Sequence, residues 1–434
     1  MEKKKTKIII VMGFALFATF FGAGNLIFPP YLGSHTGTGW FVGFVGFFLM
    51  DIGLATLAIL AVVTNRKGDI GGVVDKIGKV PGKIMLTMII LCIGPGLCIP
   101  RTAATTYEMG VSVLASGVSP WIFGAVFFGI VLALTIRPTK VVDIVGNYLT
   151  PLLLIVMVVL IVLGIVHPVG QITPVEDVVP LKEGLLSGYQ TMDGIGGMLM
   201  TMMLITAAHG YGYTEKKEIS RMIAVAGMVS CGLLMLVYGG LAYLGATTSG
   251  SGLEQLSQAE LLMYITNALL GRTGTVLLAI IVFLACLTTA IGLTAIAADF
   301  FSELTKGKVK YTHLVIGMLT FSYIFSNLGL SAIISISAPI LSLLYPPVLV
   351  LVILTFFDGV FKNRYVACFA AYTALGFGVL NLLAPSVEAL GFMEALPFAK
   401  YGLAWILPAA AGGLLGSLFG KVKGKDEETK LALE

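Results

Sequence analysis

Charge is scarce in this sequence. Only 12% of its 434 residues are Asp, Glu, Lys or Arg, and 57% are hydrophobic; an ordinary soluble domain carries about a quarter charged residues. Mean hydropathy is +0.97. A chain so poor in charge cannot wrap two or three globular cores in polar surface, which excludes a soluble enzyme and implies an all-α polytopic membrane protein. Cysteine and histidine are few, five and four residues. Cys92, Cys98, Cys231, Cys286 and Cys368 lie in apolar stretches without paired spacing, so neither a disulfide framework nor a cysteine zinc site is supported. His35, His167, His209 and His313 sit near span ends with no ligand spacing. No phosphate-binding loop occurs, which argues against ATP-driven transport. Paired carboxylates or a His/Cys nucleophile set at one depth, as an embedded enzyme needs, are missing, and so is a channel's ring of charges.

What is present is apolar sequence of spanning length, repeated from end to end. Twelve stretches come near the roughly twenty residues that cross a hydrocarbon core. They fall at about 8–33, 39–63, 83–115, 120–136, 141–166, 185–212, 218–245, 272–301, 311–328, 332–357, 365–384 and 401–420. With a cytoplasmic N-terminus, the inner connections hold all but four of the 27 basic residues, Arg137 and Lys362 among them. Lys182, Arg272 and Lys400 fall outside, and Arg101 lies within a span. This bias predicts that both termini are cytoplasmic. It also makes the net charge of +4 a consequence of topology rather than a nucleic-acid footprint. The amphipathic stretch "EQLSQAELLMYITNALLG" predicts a surface helix in an outer connection, and "KGKDEETKLALE" reads as a solvated tail.

The segment "MGFALFATFFGAGNLIFPP" (12–30) admits two readings. Lys3, Lys4, Lys5 and Lys7, an apolar stretch and Gly22-Ala23-Gly24 have the layout of a secretory signal. Cleavage there would discard the most patterned part of the chain. The other reading is a spanning helix interrupted at "GAGN", where two glycines weaken the helix and Pro29-Pro30 sit near a helix start or kink. Non-helical backbone at membrane depth is tolerated only where it is buried in protein or lines a wet cavity, so a break implies a site. Close packing through small residues is the competing account. A second interruption, "YQTMDGIGGMLM" (189–200), puts Asp193, Gly194, Gly196 and Gly197 inside the sixth span. Interrupted spans at matching places in two five-helix halves point to a secondary transporter's binding site, and an odd number of spans per half inverts them. The predicted organisation is a first repeat at 1–166, an inverted repeat at 167–358, and two further helices with a cytoplasmic tail at 359–434.

A broken helix has two partial charges. The first half-helix is expected to end near Phe21, leaving carbonyls from Ala18 to Phe21 as a negative end that suits a small hard cation. The amides of Ala23, Gly24 and Asn25 then open the second half-helix and can hold a carboxylate. In "LACLTTAIGL", Ala285, Thr288 and Thr289 share one helix face; the competing account of the threonines is back-bonding to the preceding turn. Among ionisable residues at depth, Arg101 and Asp193 stand out. Glu108 lies two turns beyond Arg101, about 10 Å along the helix. Arg101 either balances charge in a vestibule, gates the outer pathway, or pairs structurally with Asp193 or Glu108. Asp51 and Asp299 read as structural, and Met198, Met200, Met202 and Met203 as packing.

Four stretches, "FFGAGNLIFPP", "IGPGLCIPRTAATTYEMG", "TMDGIGG" and "CLTTAIGL", resemble in sequence and order the branched-chain amino acid:cation symporter family, bacterial system II carriers for Leu, Ile and Val. The resemblance covers essentially the whole chain. It implies a LeuT-type fold of the amino acid–polyamine–organocation superfamily, with ten core helices in two inverted repeats, helices 1 and 6 broken, and two C-terminal helices. The activity implied is import of a branched-chain amino acid by sodium symport in the bacterial inner membrane. The partners implied are that small molecule and the lipid bilayer, with no protein or nucleic-acid partner. By likeness to the fold's common sodium site, Ala18, Phe21 and Ala285 would give carbonyls and Thr288 and Thr289 hydroxyls. The expected substrate site comprises Ala18, Gly22, Ala23, Gly24 and Asn25 of span one and Met192, Asp193, Gly194 and Ile195 of span six, with Leu97 and Cys98. The ammonium would meet carbonyls of Ala18 and the span-six break, and the carboxylate the amides of Ala23 and Gly24. Leu97, Cys98, Met192 and Ile195 would line the side-chain pocket. Related proton-driven carriers place a lysine from span five where sodium sits, and span five here has no internal lysine. Asp143 and Asn147 keep a proton-coupled carrier as the alternative.

Overall fold

The computed structural model describes residues 2–115, 117–136, 140–253, 255–361 and 363–431. Arg137 and Lys362 lie outside them, as do the side chains of Asp143 and Asn147. No strand occurs among the described residues. In hydrocarbon every backbone N–H and C=O must pair within its own segment, and helices do so. The helices are α1 (Glu2–Phe20), α2 (Ala23–Thr36), α3 (Trp40–Phe48), α4 (Leu54–Thr64), α5 (Lys79–Leu91), α6 (Cys98–Thr106), α7 (Pro120–Ile136) and α8 (Lys140–Val166). There follow α9 (Pro180–Thr191), α10 (Asp193–Gly210), α11 (Lys216–Ala246), α12 (Gln258–Leu304), α13 (Tyr311–Ser326), α14 (Leu330–Phe356), α15 (Arg364–Leu383) and α16 (Ile406–Leu431).

Helix covers each of the twelve stretches read from the sequence. Among the described residues, seven helical stretches are long and apolar enough to cross a membrane, and four shorter ones are apolar. Large apolar side chains face outward, with Phe41 60%, Ile122 63% and Leu414 70% exposed, a surface suited to lipid rather than water. The stretch expected to form a surface helix is helical, as the first part of α12. Ser257 caps it: its amide donates to Glu260 Oε2 at 2.8 Å, and the Glu260 amide donates to Ser257 Oγ at 3.3 Å. Gly271, at φ +62, then turns the chain into the span that follows.

Contacts group the chain into two compact units, Met1–Ile52, Ile90–Met192 and Val225–Ala338 in one, and Gly53–Ile89, Asp193–Ala224 and Pro339–Glu434 in the other. These are groupings by contact, and each draws on both chain-order halves. In the first unit, α3 and α9 meet backbone to backbone. A Cβ on Gly46 would lie 2.7 Å from the Leu181 carbonyl oxygen, one on Gly188 2.8 Å from that of Phe47, and one on Gly184 would strike the Gly43 carbonyl. Gly33 and Gly245 place α2 against α11 in the same way, over the carbonyls of Ala242 and Pro30. Small residues permit such approach where lipid offers helices no hydrophobic drive to associate. In the second unit, Gly197 seats α10 on the Ala55 carbonyl of α4, 2.7 Å from where its Cβ would stand.

Three local expectations are corrected. The glycines of "DGIGG" pack inside α10 and do not unwind it; the sixth span breaks at Met192, in the left-handed region at φ +68. The third span is not continuous. A π-turn over Cys92–Gly96, with Gly94 at φ −86 and ψ −125, separates α5 from α6. Pro95 in "IGPG" has no amide for the ladder, and its own carbonyl accepts from Ser322 Oγ at 3.2 Å. Pro29 and Pro30 neither start nor end α2, which runs through both.

Candidate functional site

At the end of α1 the Phe21 amide still reaches the Phe17 carbonyl at 2.8 Å. The Gly22 amide turns back to the Phe20 carbonyl at 2.8 Å, instead of to Ala18 four residues before it. Gly22 is extended, at φ −107 and ψ −173, and α2 begins at Ala23. A helix C-terminus, half-buried at Ala18, therefore stands beside a helix N-terminus, buried at Ala23, Gly24 and Asn25. Each end carries its partial charge. The walls are aromatic. Phe21 stacks on Phe17 and Tyr238 with ring centroids 5.2 and 5.9 Å away, and Asn25 Nδ2 donates to the Tyr238 hydroxyl at 2.7 Å. Sequence reasoning missed Tyr238; the signal was a phenol in the aliphatic run "LLMLVYGGL".

The interruption at Cys92–Gly96 starts α6 at Cys98 and puts Arg101 in its first turn. Arg101 is only 2% exposed. Its Nη1 donates to the Gln190 carbonyl and its Nη2 to the Thr191 carbonyl at 3.3 Å. The guanidinium lies 5.7 Å from the centre of the Phe28 ring. A Cβ on Gly24 would fall 2.8 Å from Nη2, and Nε has no hydrogen-bond partner. A cation thus caps the carbonyl end of α9, the favourable sign for a helix C-terminus. The partners of Arg101 are carbonyls, not the carboxylates weighed from sequence. Glu108 Oε1 instead accepts from the Leu330 amide at 2.9 Å, where α14 begins. Fully buried Asp51 accepts from Thr191 Oγ1 at 2.8 Å through Oδ1, and Gln190 Oε1 accepts from Ser337 Oγ at 2.8 Å. The Gln190 and Thr191 carbonyls at the sixth-span break, expected to receive an ammonium, each accept from Arg101.

Leu97 is buried and Cys98 half-buried, just ahead of Arg101, and Met192 is buried at the end of α9. Asp193, Gly194 and Ile195 open α10 and belong to the second unit, where Gly194 faces Leu54 and Tyr345 and Ile195 is fully buried. Of the expected ion ligands, Ala18 and Phe21 lie at the end of α1, while Ala285, Thr288 and Thr289 lie on α12, which packs along α2. Thr288 Oγ1 donates to the Ala285 carbonyl at 2.9 Å. The back-bond is therefore present, but a hydroxyl that donates keeps its lone pairs for a cation. What the first unit brings together is Gly24, Asn25, Phe28, Asp51, Arg101, Gln190, Thr191 and Tyr238.

Known proteins share this arrangement of helices. A solved structure of Mhp1, a nucleobase-cation-symport-1 family transporter in a closed conformation, matches with a TM-score of 0.61, over 95% of this chain and 93% of that one at 12% identity. That likeness is one of fold. By sequence, the branched-chain amino acid permease BraB of Bacillus subtilis is 35% identical, with 94% of this chain and 95% of the relative covered. The branched-chain amino acid permease BrnQ of Salmonella typhimurium is 36% identical, with 97% of each covered. A profile described as branched-chain amino acid transport protein matches residues 5–423. The chain therefore belongs to the branched-chain amino acid transport protein family, whose members are transporters and not enzymes.

Proposed function

We propose that this chain imports leucine, isoleucine and valine by sodium symport with alternating access. The observation that carries the reading is the first break, where the Gly22 amide leaves Ala18 for Phe20. A carbonyl end and an amide end then lie side by side, fitted to a cation and to an amino acid together. Carbonyls of Ala18, Phe21 and Ala285 and hydroxyls of Thr288 and Thr289 are the neutral oxygen donors a small hard cation takes. The substrate's ammonium meets the Ala18 carbonyl, its carboxylate the region of Gly22, Ala23, Gly24 and Asn25, and its side chain Leu97, Cys98 and Met192. The curated relatives are named as branched-chain amino acid permeases, which supports the substrate class. Span five, without an internal lysine, supports sodium over protons. The reading includes twelve crossings, repeats at 1–166 and 167–358 with 359–434 added, and cytoplasmic termini, supported by the sorting of basic residues.

Labelled leucine uptake into proteoliposomes tests it. Uptake is expected to require an inward sodium gradient and to be competed by isoleucine and valine, because an apolar pocket separates methylenes by only about 1–3 kcal/mol. Equal uptake with choline replacing sodium at constant pH overturns the coupling. Uptake driven by a proton gradient alone makes the chain a proton-coupled carrier.

A further inference from the structure

Arg101 has five N–H donors, and the carbonyls of Gln190 and Thr191 engage only Nη1 and Nη2. Nε is left without a partner in a side chain 2% exposed to solvent. Nε and Nη2 form one edge of the guanidinium fork, the edge that meets a carboxylate in a bidentate pair. The Nη2 end of that edge faces Gly24, in the first turn of α2, close enough that a Cβ there would lie 2.8 Å from Nη2 and 3.2 Å from Cζ. A guanidinium and the positive end of a fourteen-residue helix therefore stand together. Two positive centres side by side, one of them carrying an unused buried donor, are arranged for an anion.

We infer that Arg101 is the anchor for the substrate's carboxylate, receiving it on the Nε–Nη2 edge beside the first amides of α2, and that it makes the carrier specific for free α-amino acids over their uncharged amides. The inference deepens the proposed transport reading and rests on it. Gly24 is bare because the guanidinium edge and the carboxylate occupy the space a side chain would take. Phe28 closes one face of the guanidinium, and the Gln190 and Thr191 carbonyls fix its orientation before substrate arrives. A preset donor pair loses little freedom on binding.

The test compares leucine with leucinamide, which keeps the ammonium and the isobutyl group and lacks the negative charge. Both are measured by competition binding on purified protein, with thermal melting in parallel. Wild type is expected to prefer leucine by on the order of 100-fold, the worth of a charged buried pair. Arg101→Gln is expected to lose that preference, through weaker leucine binding at little changed leucinamide binding, and Arg101→Lys to restore only part of it. A merely structural arginine would weaken both ligands alike, and that outcome overturns the inference. Leucine binding in Arg101→Gln within about threefold of wild type also overturns it. If the arginine variants do not fold, Gly24→Ala decides, because its methyl meets the same edge: leucine binding should fall at least about tenfold while leucinamide binding holds, and equal loss overturns the proposal. Wild type binding leucine and leucinamide equally overturns this inference alone; wild type binding no branched-chain amino acid overturns the transport reading itself.

Discussion

At Phe20 one interrupted helix ends on an extended glycine; at Thr191 the other ends on a left-handed methionine. The consequences differ more than the conformations do. Around Met192 the broken end is sealed: Arg101 takes the carbonyls of Gln190 and Thr191, and Asp51 takes the Thr191 hydroxyl. Around Gly22 no side-chain hydrogen bond caps the start of α2; Ala18 is half-buried, and the Gly22 amide has turned away from it to Phe20. The two breaks thus differ in their surroundings: at Met192 the carbonyl end carries a guanidinium, and at Gly22 a carbonyl end and an amide end are separated by one extended glycine.

Three measurements bear on that contrast. The largest effect is expected of Gly24→Leu, whose side chain would press on the Arg101 guanidinium and should abolish leucine binding by calorimetry while the protein still inserts, with melting followed in parallel. Retained binding would make "GAGN" a packing motif. Next is the ion. If the carbonyl end of α1 works with α12, Thr288→Ala should raise the half-saturating sodium concentration about 5- to 150-fold, the equivalent of about 1–3 kcal/mol of lost ligation, read from leucine uptake against sodium, with leucine affinity at saturating sodium less affected. Unchanged sodium dependence would leave Thr288 with its back-bond alone. The smallest effect is at the sealed break. Met192→Gly and Met192→Ala remove the same packing, but only glycine accepts φ +68 without cost, so Met192→Gly should be the more stable by about 1 kcal/mol in thermal melting. Equal melting would mean that the left-handed turn relaxes when the side chain is cut back.

The first break was legible to within a few residues, because two glycines within three positions weaken a spanning helix, and a second interruption in span six weighed against the competing account of close packing. The second was located but its agent mistaken. Gly194 and Gly197 look like helix breakers in the sequence and serve as contact surface in the fold, whereas nothing about a methionine announces a left-handed turn. "IGPG" carried a readable signal for the third interruption, a proline between two glycines inside an apolar span, which the span reading passed over. Arg101 declared itself as a charge at depth. Its partners did not, because backbone carbonyls 89 and 90 residues further along the chain have no side-chain signature and fall beyond any local pattern. The Asn25–Tyr238 hydrogen bond was hidden because its partners lie 213 residues apart, although the phenol itself stood out in an aliphatic run.

The glycine contacts between α3 and α9, and between α2 and α11, have a mechanical meaning. Helices that touch through side chains can slide, because the layer between them repacks by rotamer changes. Helices that touch through bare Cα atoms and carbonyls have no such layer, since Gly184 against Gly43 and Gly245 against Pro30 leave nothing to rotate. Each pair is therefore expected to move as one body. The freedom such pairs lack falls to the irregular turns along the chain, and the two residues between α1 and α2 are among the shortest of these joints.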